Sequence, residues 1–249
     1  MSPIVVSIDG NIGSGKSTIL HYIEQNFGNY CKSLNNNLKI CFLQEPVSIW
    51  ESIIDKSDGK NVIEKFYENN EKYAFAFQMM AYISRLSIFQ KALTENYDII
   101  FTERSVYTDR NVFAKMLHKS GKMNEIEHQI YNKWFDEFSK SLENIKIIYI
   151  RTTPETCEKR VKKRNRVGED IPIEYLHECN YYHESWLNNT KNTENTENSE
   201  NTVKATSNKS SFEKNILVIN GNEETNTNIF IKNTYYDDIL EKIYNFVIN

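Results

Sequence analysis

Five short apolar runs recur along the chain, at Ile4–Ile8, Ile40–Leu43, Ile99–Thr102, Ile147–Ile150 and Ile216–Ile219, with long helix-compatible segments between most of them. Runs of this kind, alternating with helices, predict strands of a parallel sheet covered by helices on both faces. The expected fold class is therefore α/β, a three-layer sandwich around a five-stranded parallel sheet. Between the second and third runs, the stretch from about Asn61 to Leu93 holds few turn residues and predicts two long helices. Asn188 to Ser211 is different in kind: Val203 and Ala205 are its only apolar side chains among Asn, Thr, Ser, Glu and Lys. Such a tract buries too little surface to offset the entropy of ordering, and is expected to be a disordered surface insertion between a helix ending near Leu187 and the last strand.

At 249 residues the chain suits a single domain over 1–249. Lys and Arg number 30 against 34 Asp and Glu, a net charge of -4, which lacks the basic excess that nucleic-acid binding needs and fits a small anionic substrate held by local cations. The four cysteines, Cys31, Cys41, Cys157 and Cys179, make no close metal-binding pair and read as reduced thiols. The first strand begins at about Ile4 and no apolar run approaches the length of a membrane span, so a cytoplasmic protein without leader or anchor is expected. None of the five histidines falls in a ligand or catalytic pattern.

The chemistry is carried first by Gly10 to Ser17, G-N-I-G-S-G-K-S, which matches the P-loop pattern at every defined position, directly after an apolar strand and before a helical segment. Gly10, Asn11, Ile12, Gly13, Ser14, Gly15, Lys16, Ser17 and Thr18 are thus expected to cradle a nucleoside triphosphate, ATP or another. Glycines let the backbone N–H groups converge on phosphate oxygens, and the helix behind adds its positive end. Lys16 should reach the β- and γ-phosphates and Ser17 should ligate Mg²⁺. The fold is accordingly expected to be of the P-loop nucleoside triphosphate hydrolase type. The motif does not name the acceptor. The lack of Asp-x-x-Gly and Asn-Lys-x-Asp in suitable context strongly disfavours a GTPase switch.

Two strand tips narrow the acceptor. Gln44-Glu45-Pro46-Val47 follows the second run and Glu103-Arg104-Ser105 the third, at the carboxyl ends where ligands of open α/β sheets bind. Glu45 is a candidate general base, Glu103 a candidate partner of Mg²⁺, and Arg104 can bridge a phosphoryl oxygen and an acceptor.

The run Glu45 to Trp50, Phe77-Gln78 with Ser84-Arg85, Glu103-Arg104-Ser105-Val106-Tyr107-Thr108-Asp109-Arg110, and Thr153-Pro154-Glu155-Thr156-Cys157 resembles the deoxyribonucleoside kinases, most of all the deoxycytidine and deoxyguanosine kinase branch. The likeness spans nearly the whole chain apart from the polar tract. It implies an ATP-dependent 5′-kinase of deoxynucleosides, working as a homodimer built through helices. By that resemblance Glu45 takes the proton of the 5′-hydroxyl, Arg104 positions the same end of the sugar, and Lys16 completes the catalytic set. Tyr67 and Glu169 match the pair that bonds the 3′-hydroxyl, although the surrounding Val167-Gly168-Glu169-Asp170 matches only loosely. Gln78 matches the base reader. Val47, Trp50, Phe77 and Phe113 are assigned to the base pocket. Arg85 and Asp109 match positions that accompany deoxycytidine and purine substrates, so thymidine should be poor, while the choice among deoxyguanosine, deoxyadenosine and deoxycytidine stays open. Arg160, Arg164 and Arg166 are implied to close over the triphosphate as a lid. A nucleoside monophosphate kinase of thymidylate type and a non-catalytic nucleotide-binding regulator are the alternative readings; the Glu45-to-Trp50 run disfavours the first.

Overall fold

The computed structural model describes residues 2–139, 142, 144–166, 169, 171–188, 215–223 and 234–248. Five strands, β1 (Ile4–Gly10), β2 (Ile40–Leu43), β3 (Ile99–Glu103), β4 (Ile145–Arg151) and β5 (Ile216–Asn220), form one parallel sheet in the order β2-β3-β1-β4-β5. All five coincide with the apolar runs. The inner strands β1, β3 and β4 are largely buried on both faces, because successive side chains point to opposite sides and helices cover both, whereas the edge strand β5 leaves Val218 exposed. Ile99 and Phe101 join Val6, Ile8, Ile148 and Ile150 in the core beneath α1 (Lys16–Ser33) and the C-terminal helix α10 (Thr234–Ile248). Ile100, Ile147 and Tyr149 point the other way, into a core with Tyr82, Tyr131, Phe135 and Leu176.

That second core is roofed by α4 (Asn70–Leu93), α7 (Glu125–Phe138) and α9 (Ile173–Leu187). After β3 the chain turns through a short α5 (Val106–Thr108), a π-helix (Asp109–Ala114) and α6 (Lys115–Lys119). Helix α8 (Pro154–Arg164) follows β4, opened by Thr153 as N-cap and Pro154 in its first turn.

The stretch Asn61 to Leu93 departs from expectation. Its first helix, α3 (Val62–Glu68), has 7 residues, whereas α4 has 24. Asn61 starts α3 with a capping box: its Oδ1 accepts from Ile63 N and Glu64 N, and Glu64 Oε2 accepts from Asn61 N. Asn69 then ends α3 and caps α4 by accepting from Lys72 N. A single asparagine serving both ends sets the boundary between the two helices, early enough to leave the first one short. The short α2 (Val47–Glu51) lies just after β2. Helix α9 ends at Leu187, as the sequence predicts; beyond Asn188, the polar tract to Ser211 lies outside the described residues. Cys31, Cys41, Cys157 and Cys179 are all free, and no helix among the described residues is long and apolar enough to cross a membrane.

The loop after β1 is packed against α8 at Gly13, whose φ is +77°. A Cβ there would lie 2.6 Å from the Cys157 carbonyl oxygen and 2.9 Å from Val161 Cγ2, both on α8. Gly13→Ala is expected to destabilise the protein by about 1–3 kcal/mol through backbone strain alone, with more from the clash. Gly28→Ala, inside α1 where a Cβ meets nothing within 4 Å, should be stabilising by about 0.5–1 kcal/mol. Thermal denaturation of the two variants checks the contrast.

Candidate active site

The carboxyl end of β1 passes straight into the loop that wraps the N-terminus of α1. Gly10, Gly13 and Gly15 all have positive φ, at 152°, 77° and 100°, which lets the loop curl. No side chain caps α1, so its first N–H groups stay available to an anion. Lys16 is 5% exposed, and its Nζ donates to the Asn11 carbonyl at 2.8 Å. Burial and the nearby Arg104 push the Lys16 ammonium down to about 8, against the opposing pull of Glu103 and Glu45. It therefore remains mostly charged at neutral pH. Ser17 Oγ donates to Glu103 Oε1 at 2.6 Å, which sets a hydroxyl and a carboxylate side by side at the helix start. Two hard oxygens beside an anion cradle fit Mg²⁺ bound with a triphosphate, because that ion takes few protein ligands and fills its shell with phosphate and water. Among the described residues no group of three or more His, Cys, Asp or Glu stands ready to hold a metal by itself.

From this loop a cavity of 1190 Å³ runs toward α4 and the π-helix. All the residues assigned to the acceptor from the sequence line it: Glu45, Val47, Trp50, Tyr67, Phe77, Gln78, Arg85, Arg104, Asp109, Phe113 and Glu169. So do Ile12, Gly13, Gly15, Lys16, Ser17, Thr18, Arg160, Arg164 and Arg166 of the phosphate set. Gly10, Asn11 and Ser14 do not. Gly10 and Ser14 give their carbonyls to Arg104 and Arg160, and Asn11 ties the loop to the Leu176 carbonyl through its amide at 2.9 Å. Their part is to shape the loop.

Glu45 sits at the middle of the cavity. Its Oε1 accepts from Arg85 Nη2 at 2.8 Å and from Arg104 Nε at 3.0 Å. Burial alone would raise its pKa, but Arg104, Arg85 and Lys16 together outweigh it and hold the carboxyl down to about 2. Arg85 continues to Asp109 on the π-helix; both are almost fully buried and in direct contact. Burial pushes Asp109 up to about 6, with Arg85 the main opposing charge, so it is ionised at neutral pH. Arg104 spans the other direction, with Nη1 on the Gly10 carbonyl at 3.1 Å and its guanidinium 4.8 Å over the Phe113 ring. The chain Asp109, Arg85, Glu45, Arg104 thus runs from one end of the cavity to the phosphate loop.

The far end is aromatic. Phe77 stacks on Phe66 at 4.7 Å and meets Trp50 edge-on at 5.6 Å, while Trp50 Nε1 is fixed on Ser84 Oγ at 2.8 Å. Gln78 Oε1 and Arg85 Nε are buried with no partner within the protein, an unspent acceptor and an unspent donor beside these rings. Buried polar atoms are normally hydrogen-bonded, and a ligand in the cavity can supply the partners of these two. Sequence reasoning missed Ile63, Phe66, Ala81 and Tyr175 in the lining. The capping box at Asn61 fixes where α3 starts but not which of its residues face the cavity, so no signal in the sequence singled out the first two.

On α8, Arg160 and Arg164 are spent differently. Arg160 donates to the Ser14 and Glu223 carbonyls, both at 3.1 Å, and Arg164 pairs with Glu169 at 2.5 Å. Arg166 is exposed. Burial and the charge of Glu169 push the Tyr67 hydroxyl pKa up, so it stays a donor at all physiological pH values. No histidine lines the cavity.

These shifts have opposite consequences for stability. Glu45 is depressed from 4.5 to about 2, so it stabilises the fold above pH 4.5 and that contribution disappears as pH falls toward 2. Asp109 is raised from 3.8 to about 6, so its ionisation weakens the fold as pH rises across that window. In melting curves against pH, Glu45→Gln should flatten the acid loss and Asp109→Asn should remove the decline between pH 3.8 and 6. The same slope in wild type and both variants would contradict this assignment.

Comparisons with known proteins identify the family. The family model described as deoxynucleoside kinase matches residues 6–247. Human deoxycytidine kinase is 39% identical over 203 residues, covering 73% of this chain and 74% of the relative. A probable deoxycytidine kinase of Fowlpox virus is 32% identical over 244 residues, 95% of this chain and 88% of the relative. The mitochondrial thymidine kinase 2 of Macaca fascicularis is 32% identical over 186 residues, covering 74% of this chain and 64% of the relative. With a phosphate cradle, a buried acceptor pocket and a family match along almost its whole length, the chain belongs to the deoxynucleoside kinases and transfers phosphate from ATP to a deoxynucleoside.

Proposed function

We propose that the acceptor is deoxycytidine or a purine deoxynucleoside, bound with its base between Phe77, Trp50 and Phe113 and its 5′-hydroxyl beside Glu45. The observation that carries this reading is the position of Glu45 between Arg85, which contacts Asp109, and Arg104, which reaches the Gly10 carbonyl. One carboxylate stands between the base-reading end and the phosphate end. Gln78 and Arg85 offer the base an acceptor and a donor, and Asp109 an acceptor for an exocyclic amino group. Thymine would bring a carbonyl and a methyl to this buried ion pair and leave a desolvated charge unmatched. Tyr67 and Glu169 bond the sugar 3′-hydroxyl. The Arg164 bond to Glu169 connects that end of the sugar to the lid.

The triphosphate is held by the N–H groups at the start of α1 and by Lys16, with Arg160, Arg164 and Arg166 closing from α8 and the segment after it. Ser17 and Glu103 would hold Mg²⁺, which would supply positive charge to offset that of the triphosphate. A carboxyl held near a pKa of 2 is a weak base, so Glu45 orients the 5′-hydroxyl and takes its proton late. This suits a loose transition state, in which the attacking oxygen becomes strongly acidic only as its bond to phosphorus forms. Both arginine bonds fall on Oε1, so Oε2 is the oxygen that receives the proton.

We also infer a homodimer built through helices. Ile126, Ile130, Trp134 and Phe138 lie four residues apart on one face of α7 and are all exposed, as is Ile83 on α4. An apolar stripe of this kind calls for a covering surface, and a second copy of the same face supplies it with two-fold symmetry.

Steady-state assays with ATP and Mg²⁺ against deoxyguanosine, deoxyadenosine, deoxycytidine, thymidine and a nucleoside monophosphate test the first reading. Turnover of deoxycytidine or a purine deoxynucleoside, poor thymidine, and a kcat loss of roughly a hundredfold or more in Glu45→Gln are expected. Thymidine as the best acceptor, or turnover of the monophosphate alone, would overturn it. For the second, light scattering should give a dimer for wild type and a monomer for the Ile130→Glu, Trp134→Glu double variant; a wild-type monomer would refute the interface.

A further inference from the structure

Three consecutive residues at the end of β1 hold the turn that follows β3. The Ile8 carbonyl accepts from Arg104 N at 3.0 Å, and the Gly10 carbonyl accepts from Arg104 Nη1 at 3.1 Å. Between them the Asp9 carboxylate accepts from Ser105 N at 2.9 Å. Asp9 is fully buried and does not line the cavity. Its Oδ1 also takes the Thr108 hydroxyl and lies 3.4 Å from Ser105 Oγ, while Oδ2 takes the Ser7 hydroxyl at 2.5 Å.

This carboxylate bears on a strained residue. Arg104 has φ +65°, the left-handed region that a side-chain-bearing residue occupies only where its surroundings hold it there. The next residue, Ser105, caps α5 by accepting from Thr108 N at 3.2 Å, and the π-helix that begins at Asp109 follows directly. Asp9 therefore bonds both the residue after the strained arginine and the first turn leading to Asp109. A buried carboxylate with this many donors is a rigid anchor, because each of those donors would be left unpaired if the turn relaxed.

We propose that Asp9 is a positioning residue for phosphoryl transfer, holding Arg104 in its left-handed conformation so that one guanidinium reaches Glu45 and the phosphate loop together. The strand that ends in the phosphate loop thus serves as the template for the acceptor end of the site. This rests on the reading that Arg104 aligns the reacting groups. The consequence is specific: loss of Asp9 displaces Arg104 relative to Glu45, while the glycine loop and Lys16 keep their hold on the triphosphate.

The test compares Asp9→Ala, Asp9→Asn and Arg104→Gln for kcat and for KM toward ATP, with folded protein checked by circular dichroism. Asp9→Ala is expected to lose kcat by roughly ten- to a hundredfold, the scale of a small misplacement of reacting groups, with KM for ATP within about twofold. Asp9→Asn should recover most of that loss, since its amide oxygen still accepts from Ser105 N–H. If Asp9→Ala does not fold, Thr108→Val removes one donor and keeps the backbone bond, and a partial kcat loss at unchanged KM is expected. Folded Asp9→Ala or Thr108→Val with wild-type kcat, an Asp9→Asn no better than Asp9→Ala, or a joint rise in KM for ATP would each overturn the proposal. Arg104→Gln at wild-type kcat would instead remove the Arg104 reading beneath it; an inactive Arg104→Gln beside an active Asp9→Ala would sink Asp9 alone.

Discussion

A carboxylate that is mostly withdrawn from water must be matched, and the rest of the site follows from how Glu45 is matched. Two guanidiniums meet on one of its oxygens, Arg85 from α4 and Arg104 from the turn after β3. Each guanidinium then needs its own remaining partners. Arg85 takes Asp109, and Arg104 takes the Gly10 carbonyl. The carboxylate end of β2, the middle of a long helix, the π-helix and the phosphate loop are thereby locked into one arrangement. Breaking one member of such a network leaves charges buried and unpaired, which costs far more than the pair contributes over an apolar replacement. The network is better understood as fixing geometry than as adding stability.

That geometry carries a chemical cost and a chemical use. Holding Glu45 near a pKa of 2 leaves it a poor proton acceptor in the free protein. In the proposed mechanism this is tolerable, because the proton leaves late and positioning counts for more than basicity. The pocket beyond Glu45 combines stacked rings with a few unspent polar atoms, the usual make-up of a small-molecule site. One of the unspent atoms, Arg85 Nε, belongs to the buried Arg85–Asp109 pair, where a mismatched base has the most to lose.

Much of this was legible in the chain. Parallel strands that helices cover are largely apolar, so all five stood out as short apolar runs, and a P-loop needs specific residues at fixed spacing. The acceptor residues came from separate motifs whose common cavity only the fold brings together. What stayed hidden depended on partners and not on residue type. Asn69 is one polar residue among many until it is seen to end one helix and start the next. Asp9 reads as an ordinary strand-end acid, since its donors Ser105 and Thr108 lie about a hundred positions away. Arg160 and Arg164 share a helix face, yet one bonds backbone carbonyls and the other Glu169, a division that spacing alone does not reveal.

The clamp on Glu45 is the central claim, and its protonation state reports on it directly. A carbon-13 NMR titration of the Glu45 side-chain carboxyl in the ligand-free protein, assigned against Glu45→Gln, should place its midpoint near 2, far below that of an ordinary glutamate. A midpoint at or above 4.5 would mean that Arg85 and Arg104 do not hold this carboxylate, and the arrangement built around it would fall with it.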